Sequence, residues 1–595
     1  MKKPRTLGAR PQIFVFLLLS LAGGGSSAQE NAPADNPPAR VARISYLKGT
    51  VSFEPAGQNQ WSEATLNFTV TTGDHIYTDK GSRAELQVGP YSVRLSDSTY
   101  LTITNLNEQV MQLGLEQGTL RVTVYQMPSG NTVEVDTPNG ALTLLGPGAY
   151  RVDVNPSGDA TLVNVYSGTL EITGGGVSQT LPAGQAVKLT GHDSIQALSV
   201  PLPRLDSFDE WSEERDQRVS SSASARYVSR NTPGYDDLDD YGHWEEVTDY
   251  GPVWYPTGVA LEWVPYRYGH WAWIGPWGWT WVEEEPWGFC PFHYGRWVHI
   301  GLAWGWLPGP IVVTPVYAPA LVAFVGGPHF SVSIGVGNVE LAAWFPLGPG
   351  EPYFPWYHCR TDYIREVNVT NIRNVTSSNI VINSTDINNI HYAYRSVATT
   401  AVPVHVFNTG QAVARQVVRL TPQQLARAQV IPHPSVNPTV RAALPGKPVS
   451  APPVRAQNLT AARRVLVETR PARGQESRPA PLGTKNPVPA QHSARTPLRN
   501  AGTQPQSGNT LNGPLRAPPS LITRSTPPPP VVPFAEQRRF MSEHPGRPLE
   551  PQQIENLRAG RATGSMQDRE FPPHIAPVPR VRLAPPPVPS RQRKP

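Results

Sequence analysis

Between residues 41 and 195 apolar and polar positions alternate in strand-length runs, and each run stops at a turn former. Ala84-Glu85-Leu86-Gln87-Val88, Ser92-Val93-Arg94-Leu95, Leu120-Arg121-Val122-Thr123-Val124 and Tyr150-Arg151-Val152-Asp153-Val154 are the clearest. A period of two places apolar side chains on one face of a strand and polar ones on the other, so the spacing predicts an all-β domain over 41–195. Gly73-Asp74, Pro138-Asn139-Gly140, Ser167-Gly168 and Gly174-Gly175-Gly176 supply its turns. Over 204–218 the pattern changes: Leu205, Phe208 and Trp211 recur at helical spacing. A linker over 204–240 follows, with a short helix and then the acidic run Asp236-Asp237-Leu238-Asp239-Asp240.

From Tyr241 the chain repeats itself. Tyr241-Gly242-His243-Trp244, Tyr268-Gly269-His270-Trp271 and Tyr294-Gly295-Arg296-Trp297 stand 27 and 26 residues apart. Aromatic, proline-punctuated runs such as Trp277-Gly278-Trp279-Thr280-Trp281 lie between them. Such copies predict β-hairpins that cannot bury their aromatic faces singly and so stack, giving an aromatic β-repeat module over 241–360. Fourteen of the 16 tryptophans fall between Trp244 and Trp356. After Trp297 no Asp, Glu, Lys or Arg appears until Glu340, but Pro310, Pro315 and Pro319 would break a spanning helix, so a buried sheet edge is expected. An Asn/Thr-rich tract over 361–407 is too β-branched for a stable helix and reads as strand. A short helix is expected within 408–430.

Composition alters the picture at the two ends. Residues 431–595 hold 34 of the 66 prolines, with 24 basic and 8 acidic residues, so a disordered, basic, Pro/Arg-rich tail is expected there. Helical islands are expected near Thr421–Ala428, just ahead of it, and near Phe534–Arg558 within it. Lys2, Lys3, Arg5 and Arg10, an apolar run from Ile13 to Ala22, and Ser26-Ser27-Ala28 read as a signal peptide over 1–28. Export to the periplasm or cell surface is expected, with no transmembrane span beyond that segment. The fold class is mainly β: one β domain, one aromatic repeat module and a long tail. In an exported chain the two cysteines, Cys290 and Cys359, are candidates for a disulfide.

Several motifs give the β domain a family resemblance. Gly73-Asp74-x-Ile76-x-Thr78, Ser82-x-Ala84-x-Leu86, the stretch Leu142 to Val154, Val163-x-Val165-x-x-Gly168-x-Leu170-x-Ile172 and Leu181-Pro182-Ala183-Gly184-Gln185-Ala186 occur in that order. In this the domain resembles the FecR family of periplasmic signal-relay proteins. The resemblance implies a bacterial envelope protein with a regulatory role. The Trp/Tyr-Gly block resembles an uncharacterised module of exported bacterial proteins.

Enzymatic signatures are absent: there is no Gly-x-Ser-x-Gly elbow, phosphate-binding loop or His-Glu-x-x-His. Glu283-Glu284-Glu285 offers paired carboxylates, but its residues point to alternate faces of what reads as a solvated turn. A metal ligand set built on His243 and His270 is disfavoured because Arg296 fills their position in the third repeat, and Arg cannot ligate. These positions call instead for a hydrogen-bond donor or a cation stacked on the neighbouring Trp. The tryptophans themselves suit either sugar stacking or core, and the glycines beside them favour core.

The expected function is non-catalytic: an exported envelope protein that binds or scaffolds. A glycan- or cell-wall-binding protein is the alternative, and a FecR-type signal sensor lacking its cytoplasmic part is the second alternative. Tyr241, His243, Tyr268, His270, Tyr294 and Arg296 are the expected binding residues. The expected partner is an envelope protein or a cell-wall or surface glycan, with an anionic polymer on the basic tail. Neither nucleic acid, metal nor cofactor is expected.

Overall fold

A computed structural model describes residues 36–312, 314–327, 330–334, 337–372, 387–388, 390–452, 466–467 and 521–564. The segment 1–28 lies outside them.

The first domain obeys the alternation. Its strands make two sheets that share one long strand, Val110–Val124. The first part of that strand pairs antiparallel with Tyr100–Leu106 and parallel with Thr132–Thr137. The part after Gly118 pairs antiparallel with Tyr91–Leu95 and Gly148–Val154. Gly118 makes the change of sheet, at φ +93°, and a Cβ there would stand 2.4 Å from the Thr99 backbone. Only glycine fits. Leu86, Val93, Leu101, Leu113, Leu120, Val122, Val152, Val163 and Val165 fill the space between the sheets.

The linker helix spans Ser207–Ser221. Asp206 caps it by accepting from the Phe208 and Asp209 N–H groups, while the Asp209 side chain returns to the Asp206 N–H.

Each Tyr-Gly-x-Trp repeat opens a hairpin: Gly242–Val247 with Gly251–Pro256, Gly269–Ile274 with Gly278–Glu283, and Arg296–Ile300 with Ala303–Leu307. They do not stack in sequence order. The first and third join edge to edge through Trp254 and Trp306, and the second forms a separate two-stranded sheet. The recurring unit is finer than a hairpin. In each copy two tryptophans pair across the strands: Trp244 with Trp254, Trp271 with Trp281, and Trp297 with Trp306. In each copy the repeat glycine lies under the second indole.

A further sheet is built around Gly337–Pro346, which pairs with Ser331–Ile334, Val322–Gly326 and Thr400–Pro403, while Gln429–Ile431 joins Val322–Gly326. The expected strand at Ser331 is present, whereas the expected buried edge is at Val322–Gly326 an inner strand, paired on both sides. The β tract expected over 361–407 needs correction at its start: Thr361–Val369 is a helix. Burial of Tyr363 and Val367, and bonds from Asn368 Nδ2 to the Tyr353 and Ile364 carbonyls, outweigh the β-branched content. Residues 373–386 of the tract lie outside the described residues. The helix expected within 408–430 is Pro422–Arg427, capped by Thr421.

The tail boundary at 431 also needs correction. Val436 and Ala442–Leu444 are buried, and the Val436 carbonyl accepts from Trp279 Nε1 at 3.1 Å. Farther on, Ile522–Thr523 adds to the first domain and Phe534–Met541 is a helix with Phe534 buried. Short apolar clusters anchor these segments, and the segment-wide proline content conceals them. Most of the remaining tail lies outside the described residues. No described helix is long and apolar enough to cross a membrane.

Candidate functional site

The expected binding residues do not converge. Tyr241 and His243 are exposed at the mouth of the first hairpin, where the His243 ring stacks on Tyr255 with centroids 5.7 Å apart and its Nε2 lies 3.0 Å from Glu245 Oε1. The neighbouring ring is therefore a tyrosine and not a tryptophan. Tyr268 and His270 are half-buried, with Tyr268 stacked on Trp263. Burial brings the His270 pKa down to about 4, with the nearby Arg441 charge adding to the effect.

Tyr294 and Arg296 are buried and offer no surface. Arg296 spends its donors on the protein: Nε on the Glu351 carbonyl, Nη1 on the Gly295 carbonyl and Nη2 on Asn368 Oδ1, at 2.9–3.2 Å. Arginine replaces histidine in the third repeat because that position gathers three chain segments. The tryptophans are core as well: Trp271, Trp277, Trp279, Trp281, Trp297 and Trp306 are essentially inaccessible, which removes a sugar-stacking face made of them.

Cys290 and Cys359 are free thiols, so the expected disulfide is not formed. Cys290 sits at the start of a short helix beneath Arg43 and Gly234, whereas Cys359 lies beside Asp362 and Glu550. Burial raises both thiol pKa values, that of Cys359 to about 12. Glu283 is not on a solvated turn. It is buried, accepts from Trp281 Nε1 at 2.8 Å, and burial holds its pKa well above the carboxylate range.

The strongest concentration of charge lies elsewhere, between the first domain and the linker. Arg94, Arg121 and Arg151 stand directly opposite one another across three adjacent strands, and Glu85 opposes Arg94 on the next. Like charges in register repel, and Arg94 and Arg121 are fully buried. The linker helix supplies the compensation. Asp216 meets Arg94 at 2.7 Å, and Asp209 meets Arg121 at 3.0 Å and Arg151 at 2.6 Å. Arg215 of the same helix returns to Glu85 at 2.6 Å. Burial alone would raise the Glu85 pKa, but Arg94 and Arg215 outweigh it and hold the carboxyl well below its usual range. The row continues past the helix: Arg43 pairs with Asp237, Gln87 donates to Asp236 at 3.0 Å, and Arg218 reaches Asp237 at 2.9 Å.

This latch leads straight into the aromatic module. The Leu238 carbonyl accepts from Trp254 Nε1, and Arg43 also lies over the Phe289 ring. Asn67 of the first domain donates to the Glu283 and Glu285 carbonyls at 3.2 and 2.7 Å, and Thr69 Oγ1 bonds Tyr317 Oη at 2.7 Å.

Residues 74–171 match the family model described as FecR protein. The first β domain is FecR-like. Residues 235–351, from the latch through the aromatic hairpins, match a family of unknown function, DUF6600. No curated protein matches the chain. Two crystal structures of a candidate anti-sigma factor from Parabacteroides distasonis align at 15% and 16% identity, each over 22% of this chain and 59% of that one, with TM-scores of 0.20. The alignment thus spans little more than half of the neighbour's length. Arg43, Arg94, Arg121 and Arg151 come from the FecR-like domain and its lead strand, Arg215 and Arg218 come from the linker helix, and Asp236 and Asp237 belong to the DUF6600 stretch. The junction of the two matched regions is itself the charged site.

Proposed function

We propose that the chain is a non-catalytic envelope protein of the signal-sensor type, in which the FecR-like domain and the aromatic module act as one scaffolded body. The observation that carries this reading is the latch: buried arginines in register, neutralised by a linker helix, with the linker beyond that helix bonded to the aromatic hairpins through the Leu238 carbonyl. Breaking a buried pair by removing one partner costs about 3–5 kcal/mol, so the two modules are not free to swing independently. Occupancy on one module is then felt at the other. The partner expected at the exposed end is an envelope protein, at the mouth of the first hairpin, where Tyr241 and His243 are accessible.

The test compares transcript profiles in three strains: one with the native chain, one without it, and one carrying Asp209→Ala with Asp216→Ala. The sensor reading requires the latch variant to reproduce changes seen in the deletion. Profiles identical in all three strains contradict it.

A further inference from the structure

The two-sheet design of the FecR-like domain leaves a gap. Strand Thr132–Thr137 has Val110–Gly114 as its parallel neighbour only as far as the pair Asp136 with Gly114, because the long strand then turns into the other sheet. Beyond it, on the side that strand vacates, Thr137 pairs instead with Ile522, which comes from the proline-rich tail. Leu521 lies over Gly114, where a Cβ would come within 2.8 Å of it, and Ile522 lies over Gly174, where a Cβ would come within 2.9 Å. Leu521, Ile522 and Thr523 are all buried.

The polar half of the gap is more specific. Glu134 and Asp136, both buried, project from one face of the strand. Glu134 Oε1 accepts from two consecutive backbone N–H groups, Arg524 at 2.9 Å and Ser525 at 3.1 Å, and from Thr523 Oγ1 at 2.8 Å. Its Oε2 accepts from Ser525 Oγ at 2.7 Å. Gln112 bridges Asp136 Oδ2, Thr523 Oγ1 and the Ser525 carbonyl. Arg524 reaches outward to Glu171 at 2.7 Å. A buried carboxylate that collects paired backbone N–H groups recognises an extended peptide as such, while the glycine-floored depressions select its side chains.

We propose that this groove, bounded by Gly114, Gln112, Glu134, Glu171 and Gly174, is a binding site for an extended peptide of a partner protein, patterned apolar, β-branched apolar, hydroxyl, Arg, hydroxyl. In the structure the chain's own Leu521–Ser525 occupies it as a resident competitor. A tethered segment faces its site at an effective concentration in the millimolar range, so a partner peptide must displace it.

The test uses the full chain and a fluorescein-labelled synthetic peptide spanning Ser520–Thr526, read by anisotropy. Leu521→Asp with Ile522→Asp empties the groove without altering its walls, and Thr523→Ala with Ser525→Ala is a milder second variant. Both emptied variants should bind the peptide at least tenfold more tightly than the wild type. Adding Glu134→Gln, or changing the arginine of the peptide to Ala, should reverse that gain. Equal binding to wild type and variants, or no binding to either variant while their melting matches wild type, overturns the proposal. Concentration-dependent dimerisation of the wild type that excess peptide abolishes would place a second copy's tail in the groove and overturn the partner assignment.

Discussion

Gly269 lies beneath the indole of Trp281, so close that a Cβ would stand 2.7 Å from the ring and 2.2 Å from the Val282 carbonyl. Gly242 stands in the same relation to Trp254, and Gly295 to Trp306. This is why Tyr-Gly-x-Trp recurs. Gly269→Ala should therefore destabilise the aromatic module by at least the 1–3 kcal/mol typical of overpacking, since the nearest obstacle is backbone. A thermal melt indistinguishable from wild type would contradict this packing.

Trp279 is fully buried, with its ring edge-on to Trp273 at 5.3 Å and to Phe407 at 4.5 Å. Trp279→Ala should cost roughly 3–5 kcal/mol, the range for a buried large aromatic. Its near-ultraviolet circular dichroism should lose the contribution of this rigidly held indole. Unchanged stability would show the ring to be a surface element.

Under native, non-reducing conditions neither Cys290 nor Cys359 should react quickly with iodoacetamide, because burial disfavours both thiolates. After denaturation without reductant both should label. Failure of both to label until a reductant is added would establish the disulfide that the structure lacks.

His293 is buried with Nδ1 2.8 Å from the Ala318 carbonyl, and burial brings its pKa down to about 3, while that of His270 falls to about 4. An unfolded histidine titrates near 6.5, so the unfolded chain takes up protons first as the pH falls. The stability that these neutral imidazoles preserve is complete above about pH 6.5 and drains away as the pH approaches 4. Asp74 acts in the opposite sense, because burial raises its pKa to about 7 and its folded form gains protons first. The comparison should therefore be made between wild type and His293→Gln. The difference in melting temperature should narrow or reverse between pH 6.5 and 4, and a constant difference would refute a neutral buried His293.

Much of this was legible in the sequence, for a physical reason. Alternation marks strands directly, and the hairpins begin at the three repeat starts because glycine, tryptophan and proline constrain the backbone locally. The latch was less legible. Glu85, Arg94, Arg121 and Arg151 each occupy a polar slot in an alternating strand, which by itself reads as solvent-facing. Only the cross-strand register shows three arginines abreast, and register depends on long-range pairing. A signal was nevertheless present: one arginine at the polar position of several strands, followed by a helix carrying Asp206, Asp209, Glu213 and Asp216. Repeat position does not reveal exposure: the burial of Tyr294 and Arg296 is set by segments arriving from residues 351–371.

The latch is tested most directly by hydrogen exchange read by mass spectrometry on the full-length protein, following peptides from Ser207–Ser221. In the wild type these amides should be protected to the same degree as the strands holding Arg94 and Arg121. In Asp209→Ala with Asp216→Ala they should exchange rapidly, while the hairpins over 269–283 stay protected. Rapid exchange of the helix in the wild type, or protection unchanged in the variant, would contradict a linker held on the arginine row.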